Sequence, residues 1–436
     1  MFRPSGFADL AGKRVGIFGY GIEGHASAER LRGVAMSLVL VDDAPRANPD
    51  VLATSEGGHE QLLTCDVVLK SPGIPRRRAD VLDLEAHGVA VTSSLNLWLH
   101  DVDRDRVLAI TGTKGKSTTT TLVAFFLECA GQKALQLGNI GQPPYDPCVD
   151  TSEGWLVLEV SSFQCADIDL APALVLVTSL GADHLDWHGS LESYRGDKLS
   201  LTRAAGAHAT LVPDTPIFHD LADQLGGEVS FVPADHSQLA SSLGLLGAHS
   251  DSNVALALEA VSRATRTPVD DVRESVAKRA TSFVPLRGRL TLVASEERNG
   301  ATVRYVDDGL ATSALPTVAA LDVFADDPVA LIAGGFDRGV DYSPLALALA
   351  ARHSPTYLLT MGDAGRRIGQ ATGVADPFIA QEHVASMDEA VRMARSLLEG
   401  GGVVLLSPAA PSFDQYRNWE ERSDDFTRIV LGLTRS

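Results

Sequence analysis

The sequence predicts an α/β protein of three segments, each built on a mainly parallel sheet. Three observations carry this. Apolar runs of four to six residues alternate with helical stretches along the whole chain, the pattern of strand–helix units. Ala, Val, Leu and Gly are abundant while aromatics make up only 6%, a mixture that suits buried parallel strands and close helix packing. Finally, two strands run into glycine-rich turns that open helices, at Gly19 and at Gly112.

The chain has 436 residues, 45% hydrophobic and 21% charged, which fits a multidomain globular enzyme. Its formal net charge of −19 argues against a nucleic-acid or anionic-membrane partner. An anionic substrate must then be held by local cations and backbone N–H groups, against the overall field. Cys65, Cys129, Cys148 and Cys165 form no C-x-x-C pair, which predicts a reduced, cytoplasmic location. The first residues carry no apolar core of signal-peptide length, and no apolar run reaches membrane-span length.

The first segment, 1–105, opens with a strand over Arg14–Phe18, then Gly19-Tyr20-Gly21-Ile22-Glu23-Gly24. A helix and a second strand, Leu38–Val41, follow and end at Asp42. By pattern alone this is a dinucleotide fingerprint with its ribose-binding acid. An NAD-dependent dehydrogenase is the competing function, although the same mechanics serve any nucleotide diphosphate. Ser71-Pro72-Gly73-Ile74-Pro75 is a rigid turn at a strand end, and Arg76-Arg77-Arg78 after it reads as a solvated basic patch or an anion attractor. Asp101–Asp105 reads as a charged linker.

The second segment, 106–290, begins with a buried strand, Arg106–Ile110, then Gly112-Thr113-Lys114-Gly115-Lys116-Ser117-Thr118 and a helix over Thr120–Glu128. Glycines turn backbone N–H groups inward, a helix N-terminus adds positive potential, and Lys116 adds a mobile charge. The hydroxyl of Ser117 or Thr118 suits Mg²⁺. Strict Walker spacing would place glycine at Ile110, so this is the shorter G-x-x-G-K-S-T. Trp155–Gln164 reads as a buried strand bearing Glu159, a carboxylate that needs a partner such as a metal ion. Ala173–Leu180 is a strand running into Asp183-His184-Leu185-Asp186, and the next helix bears Lys198. Leu245–Ala257 reads as a capped helix start and Phe283–Leu290 as an exit loop.

The third segment, 291–436, has strands at Thr302–Val306, Val329–Ala333 and Val403–Ser407, with a turn into a helix at Asp307–Ser313.

Taken together these motifs resemble the Mur ligases, the ATP-dependent amino-acid ligases of peptidoglycan precursor synthesis, over essentially the whole chain. The nearest form is the branch that adds glutamate to UDP-N-acetylmuramoyl-L-alanine. The resemblance implies a three-domain fold: an N-terminal Rossmann-like domain, a central P-loop ATPase-type sheet and a C-terminal Rossmann-like domain. It implies ATP and Mg²⁺, with Gly112–Thr118 as the phosphate loop and Lys116, Glu159, His184 and a carbamylated Lys198 as the catalytic, metal-placing set, Ser117 joining as a metal ligand. Asn253, Arg289 and Asp308 would contact the nucleotide. Gly21, Ile22, Asp42, Gly73, Asn139, Ser161 and Gln164 would hold the UDP-sugar. Thr312, Arg338, Ser412 and Trp419 would receive the amino acid. The substrate carboxylate would be phosphorylated and the third domain would swing in to deliver the amine. A monomer is expected.

The chain departs from the D-glutamate ligases where they have Asp-Ser-Lys-Ala-Thr: it has Asp308-Gly309-Leu310-Ala311-Thr312. Gly288 replaces a histidine before Arg289, and Trp419 a phenylalanine. Arg338 stands where a second lysine is usual, and its fork fits a carboxylate bidentately. A branch lacking the first lysine adds L-glutamate, with a separate epimerase acting on the product. L-glutamate is therefore the expected substrate and D-glutamate the alternative.

Overall fold

The computed structural model describes residues 2–45, 48–372 and 379–434. Among these, the strands form three sheets. In the first, β1 (Arg14–Phe18), β2 (Ser37–Asp42), β3 (Val51–Ala53), β4 (Val67–Lys70) and β5 (Ala90–Thr92) lie in the order β3-β2-β1-β4-β5. All pairs are parallel, with Val15 beside both Leu38 and Val67. This is the order of a doubly wound nucleotide-binding sheet, whose ligand crevice lies at the strands' C-terminal ends where the strand order reverses, between β1 and β4.

The second sheet comprises β6 (Val107–Thr111), β7 (Ala134–Gly138), β8 (Trp155–Glu159), β9 (Leu174–Val177), β10 (Ala209–Pro213) and β11 (Glu228–Val232), ordered β11-β10-β9-β6-β8-β7 and parallel throughout. β6, with the phosphate loop at its end, lies between β8 and β9. The central position is dictated by burial: every residue of β6 is buried. Such a strand is apolar on both faces, as the sequence shows.

The third sheet comprises β12 (Thr291–Arg298), β13 (Ala301–Asp307), β14 (Val329–Gly334), β15 (Thr356–Met361), β16 (Ile379–His383) and β17 (Gly402–Leu406), ordered β12-β13-β17-β14-β15-β16. Side chains alternate across it. Val306, Leu331, Val403 and Leu405 pack into one core layer, while Tyr305, Ile332, Val404 and Leu406 pack into the other with Phe426. Each fully buried Leu or Ile contributes about 1.5–3 kcal/mol.

Two strand expectations change. Trp155–Gln164 is a strand only to Glu159; Ser161 caps a short helix, Ser162–Cys165, with Gln164 closing a capping box. Ser and Gln three apart form that reciprocal pair in preference to a sheet ladder. The first strand of the third sheet, β12, is missed by the strand–helix reading. It pairs antiparallel with β13 through a tight turn at Asn299-Gly300, both in the left-handed region. The helix after the phosphate loop begins at Lys116 and runs to Cys129, earlier than Thr120. Within the charged stretch Asp101–Asp105, Arg104 Nη1 donates to the Ala171 carbonyl.

The chain divides into two compact units, Met1–Ser237 with Asp251–Ala280, and Gln238–Ser250 with Thr281–Ser436. The first holds two sheets, the second the third sheet. No helix among the described residues is long and apolar enough to cross a membrane.

Candidate active site

In the first unit the phosphate loop is shaped by two glycines for different reasons. Gly112 has φ +147° and a Cβ there would lie 2.0 Å from Thr178 Oγ1; Gly115 has φ +85° and caps the helix Lys116–Cys129. A Cβ at Gly115 would meet the buried Asn253 amide at 2.7 Å, so the candidate nucleotide residue Asn253 sits against the loop. The loop is tied to the end of β9. Thr113 N–H donates to the Ser179 carbonyl at 2.8 Å, and Thr178 Oγ1 donates to the Lys114 carbonyl at 2.6 Å. Thr113 Oγ1 pairs with Tyr194 OH at 2.8 Å, which links loop to helix Leu191–Arg203. Lys114 is exposed, 3.7 Å from Asp183. Ser117 is buried on the first helical turn and Thr118 half-buried beside it.

Two lysines converge on one carbonyl. Lys116 Nζ donates to the Gly112 carbonyl at 3.0 Å and to Thr113 at 3.2 Å, while Lys198 Nζ donates to Gly112 at 2.9 Å. Lys198 is fully buried, and burial brings its ammonium down to about 8, with Lys116 adding like-charge repulsion. An amine with that value is partly neutral near pH 7, as reaction with CO₂ requires.

Glu159 ends β8 with 1% exposure. Asn139 Nδ2 donates to its Oε1 at 2.7 Å, and Oε2 is buried with no hydrogen-bond partner. A buried carboxylate oxygen left bare is costly, so the donor set fits a hard cation. Among the described residues no three His, Cys, Asp or Glu side chains gather as a ready metal cage. Mg²⁺ characteristically takes one or two carboxylates plus phosphate oxygens and water, so Glu159 with Ser117 and a carbamate on Lys198 would hold it. His184 is half exposed at φ +49°, its ring 4.8 Å from that of Phe163.

A histidine that the sequence reading left unassigned is the more enclosed. His188 pairs through Nδ1 with Asp197 at 2.8 Å and through Nε2 with Ser162 Oγ at 3.0 Å. Asp197 also accepts both Arg77 guanidinium N–H groups at 3.2 Å. The position of His188 four after His184 was the available signal. In the run Arg76–Arg78, Arg76 and Arg77 are exposed, as a solvated patch would be, and each member also has a partner. Arg76 donates to the Ala166 carbonyl, Arg77 to Asp197, and Arg78 to Asp43 and Asp80.

Around the first turn, Gly21 caps the helix Ile22–Leu31 and Ile22 is 79% exposed. The Asp42 carboxylate accepts from Tyr20 N–H at 2.6 Å and Ala44 N–H at 2.9 Å, so it already braces the glycine turn. The Gly73 carbonyl accepts from Trp187 Nε1 at 3.1 Å. Glu23 is a residue the sequence reading passed over inside the glycine motif. Tyr145 OH donates to it at 2.9 Å and Gln164 Nε2 at 2.7 Å, and burial raises its carboxyl. Gln164 thereby bridges Ser161 and the first glycine turn. Below them Lys70 and Asp167 form a buried ion pair at 2.6 Å.

In the second unit, Asp308 is buried and accepts from Ser407 Oγ at 2.7 Å; burial raises its carboxyl to about 7. Arg289 and Thr312 are exposed, and Leu310 is half-buried. Arg338 lies 5.9 Å over the Phe413 ring, next to the buried Ser412. Gly288 has φ +68°, and a Cβ there would be 2.7 Å from the Trp419 ring. The glycine and the larger aromatic thus fill one space together.

Parallel sheets, a glycine loop opening a helix behind a lysine, and a bare buried carboxylate define a nucleoside-triphosphate-using enzyme. Residues 110–229 match the family model of the Mur ligase middle domain. A relative from Micromonospora sp. named UDP-N-acetylmuramoyl-L-alanine–L-glutamate ligase is 37% identical over 97% of this chain and 97% of its own. One from Geobacillus kaustophilus, named UDP-N-acetylmuramoylalanine–D-glutamate ligase, is 32% identical over 97% and 98%. The crystal structure of UDP-N-acetylmuramate-alanine ligase MurC from Thermotoga maritima shares the fold, with TM-score 0.54, 17% identity, and 97% and 100% coverage. The chain belongs to the Mur ligase family and is an ATP-dependent, amide-bond-forming ligase.

Proposed function

We propose that the chain joins L-glutamate to UDP-N-acetylmuramoyl-L-alanine in the cytoplasm, as a monomer, with Mg²⁺ and through an acyl phosphate. Convergence of Lys116 and Lys198 on the Gly112 carbonyl carries this reading. It sets two amines at the phosphate loop, one to follow the transferred phosphoryl group and one to become a metal-holding carbamate.

In this scheme residues 1–105 bind the uridine diphosphate through Gly21, Ile22, Asp42 and Gly73. Asn139, Ser161 and Gln164 hold the sugar end. Residues 106–290 bind ATP, with Arg289 at their end, and residues 291–436 receive the amino acid and bring Asp308 to the nucleotide. The substrate carboxylate attacks the γ-phosphate while Lys116 and loop N–H groups neutralise the developing charge. Mg²⁺, when bound, supplies further neutralisation of the phosphate oxygens. The glutamate amine then attacks the acyl phosphate, giving the amide and phosphate. A dehydrogenase reading would use only the first glycine turn and leave Lys116, Ser117 and Thr118 without a task.

The L enantiomer is supported by Leu310, which offers no ion pair, together with Arg338 and Ser412, and by the similarity to the L-glutamate ligase of Micromonospora. An epimerase acting on the product would then be required downstream. The test supplies UDP-N-acetylmuramoyl-L-alanine, ATP and Mg²⁺ with each glutamate enantiomer in turn. Phosphate release with L-glutamate is expected; release only with D-glutamate would overturn the stereochemical reading.

A further inference from the structure

The helix Trp419–Thr434 holds the loop after β13 from both sides of one residue. Asp307 Oδ1 accepts from Gly309 N–H at 2.9 Å and from Ser423 Oγ at 3.0 Å. On the other side of the residue, Arg422 Nη2 donates to the Gly309 carbonyl at 3.0 Å. Between them there is no room for a side chain: a Cβ on Gly309 would lie 2.2 Å from Ser423 Oγ. Gly309 is outside the left-handed region, so glycine is required here for space and not for conformation. The next residue is fixed as well, Leu310 N–H donating to the Gly288 carbonyl at 3.0 Å.

Arg422 reaches further. Its Nη1 donates to the Ala410 carbonyl at 3.1 Å and to Gly334 at 3.4 Å. The three carbonyls lie at or beyond the ends of three strands, Gly334 closing β14 and Gly309 and Ala410 following β13 and β17, and each leads into a candidate amino-acid contact: Gly309 into Leu310 and Thr312, Gly334 into Arg338, Ala410 into Ser412. The guanidinium is buried and its hydrogen bonds are to carbonyls rather than to a carboxylate. Such a group is expensive to bury, and here it fixes three loops relative to one another.

Enantiomers differ only in how three groups are arranged about one carbon. Telling them apart needs three contact points held rigidly in register. We infer that Ser423 and Arg422, acting through Gly309, are the positioning residues that set which hand of the incoming amino acid is accepted. This rests on the glutamate-ligase reading above. A Cβ at 309 must displace the Ser423 hydroxyl from Asp307, so positions 309 and 423 form a coupled pair: a side chain at 309 fits only if the Ser423 hydroxyl gives way.

The test uses the full chain and three variants: Ser423→Ala, Gly309→Ser, and Gly309→Ser combined with Ser423→Gly. For each, kcat/KM is measured with L- and D-glutamate, and KM separately for ATP and the UDP substrate. Ser423→Ala should lower the enantiomer ratio about fivefold or more, the order expected for one lost buried hydrogen bond. The KM values for ATP and the UDP substrate should stay within twofold. Gly309→Ser should lose glutamate turnover, and the double variant should recover it with a changed ratio. An unchanged ratio in Ser423→Ala, or a double variant no better than Gly309→Ser, overturns the inference. Hydrogen exchange at Gly309 and Leu310 N–H gives an independent reading that needs no turnover. It should quicken in Ser423→Ala, and unchanged exchange likewise overturns the proposal. A wild-type preference for D-glutamate would sink the stereochemical reading alone, since the ratio still reports on the pair.

Discussion

Lys198 Nζ donates to the carbonyl of Gly112 at 2.9 Å, the same oxygen that Lys116 reaches at 3.0 Å. Two cations on one acceptor repel each other, and only one is needed for the γ-phosphate. Lys116→Ala should cut phosphate release on the order of 10²- to 10³-fold, while equilibrium binding of the UDP substrate stays intact. Lys198→Arg keeps a cation but cannot take up CO₂. It should lose turnover to a similar degree, and added bicarbonate should not restore it.

Glu159 makes an opposite pair of forecasts. Its Oε2 is buried and bare. Glu159→Gln keeps an oxygen for the Asn139 donor and replaces the bare carboxylate oxygen, so the thermal midpoint should hold or rise. Turnover should nonetheless fall, with half-saturation by Mg²⁺ displaced upward. A Mg²⁺ titration beside a melting curve separates the two; a lower midpoint with unchanged Mg²⁺ dependence would contradict both.

The Lys70–Asp167 pair is nearly inaccessible to water. Lys70→Met strands a buried carboxylate and should cost about 3–5 kcal/mol. Lys70→Met combined with Asp167→Leu should recover most of that loss. Urea unfolding of the two variants measures it.

Asp308 supplies a pH signature. Burial raises its carboxyl from 3.8 to about 7. The folded state therefore keeps its proton where the unfolded state has lost it. The associated stability is present below 3.8 and disappears as pH rises through about 7. Between pH 5.5 and 8 the wild type should lose about 2 kcal/mol relative to Asp308→Asn, measured by urea midpoints at both pH values.

Much of this was legible from the letters. The glycine spacings at Gly19 and Gly112 announce their turns because nothing else tolerates those backbone angles or approaches. Glu159 stands out because a carboxylate in an apolar strand demands a partner. The antiparallel β12 escaped because its side chains alternate on a half-exposed edge, and the strand–helix rhythm around it suggested otherwise. The bracing of Gly309 by Arg422 and Ser423 was beyond reach for a different reason. Those residues are more than 100 positions apart, and only the packing of a helix against the strand ends brings them together.

The three paired arginines also change how the chain should meet its substrates. Arg77 and Arg78 face carboxylates directly, and the formal charge of −19 already counts all three arginines, so the long-range field a substrate meets is negative. A nucleotide approaching from solution meets repulsion until it is within the reach of the loops. Added salt shortens that reach to about 8 Å at physiological ionic strength. Association of the anionic substrates should therefore speed up, not slow down, as salt rises from very low levels, the reverse of the behaviour of enzymes that draw phosphates in with a positive face.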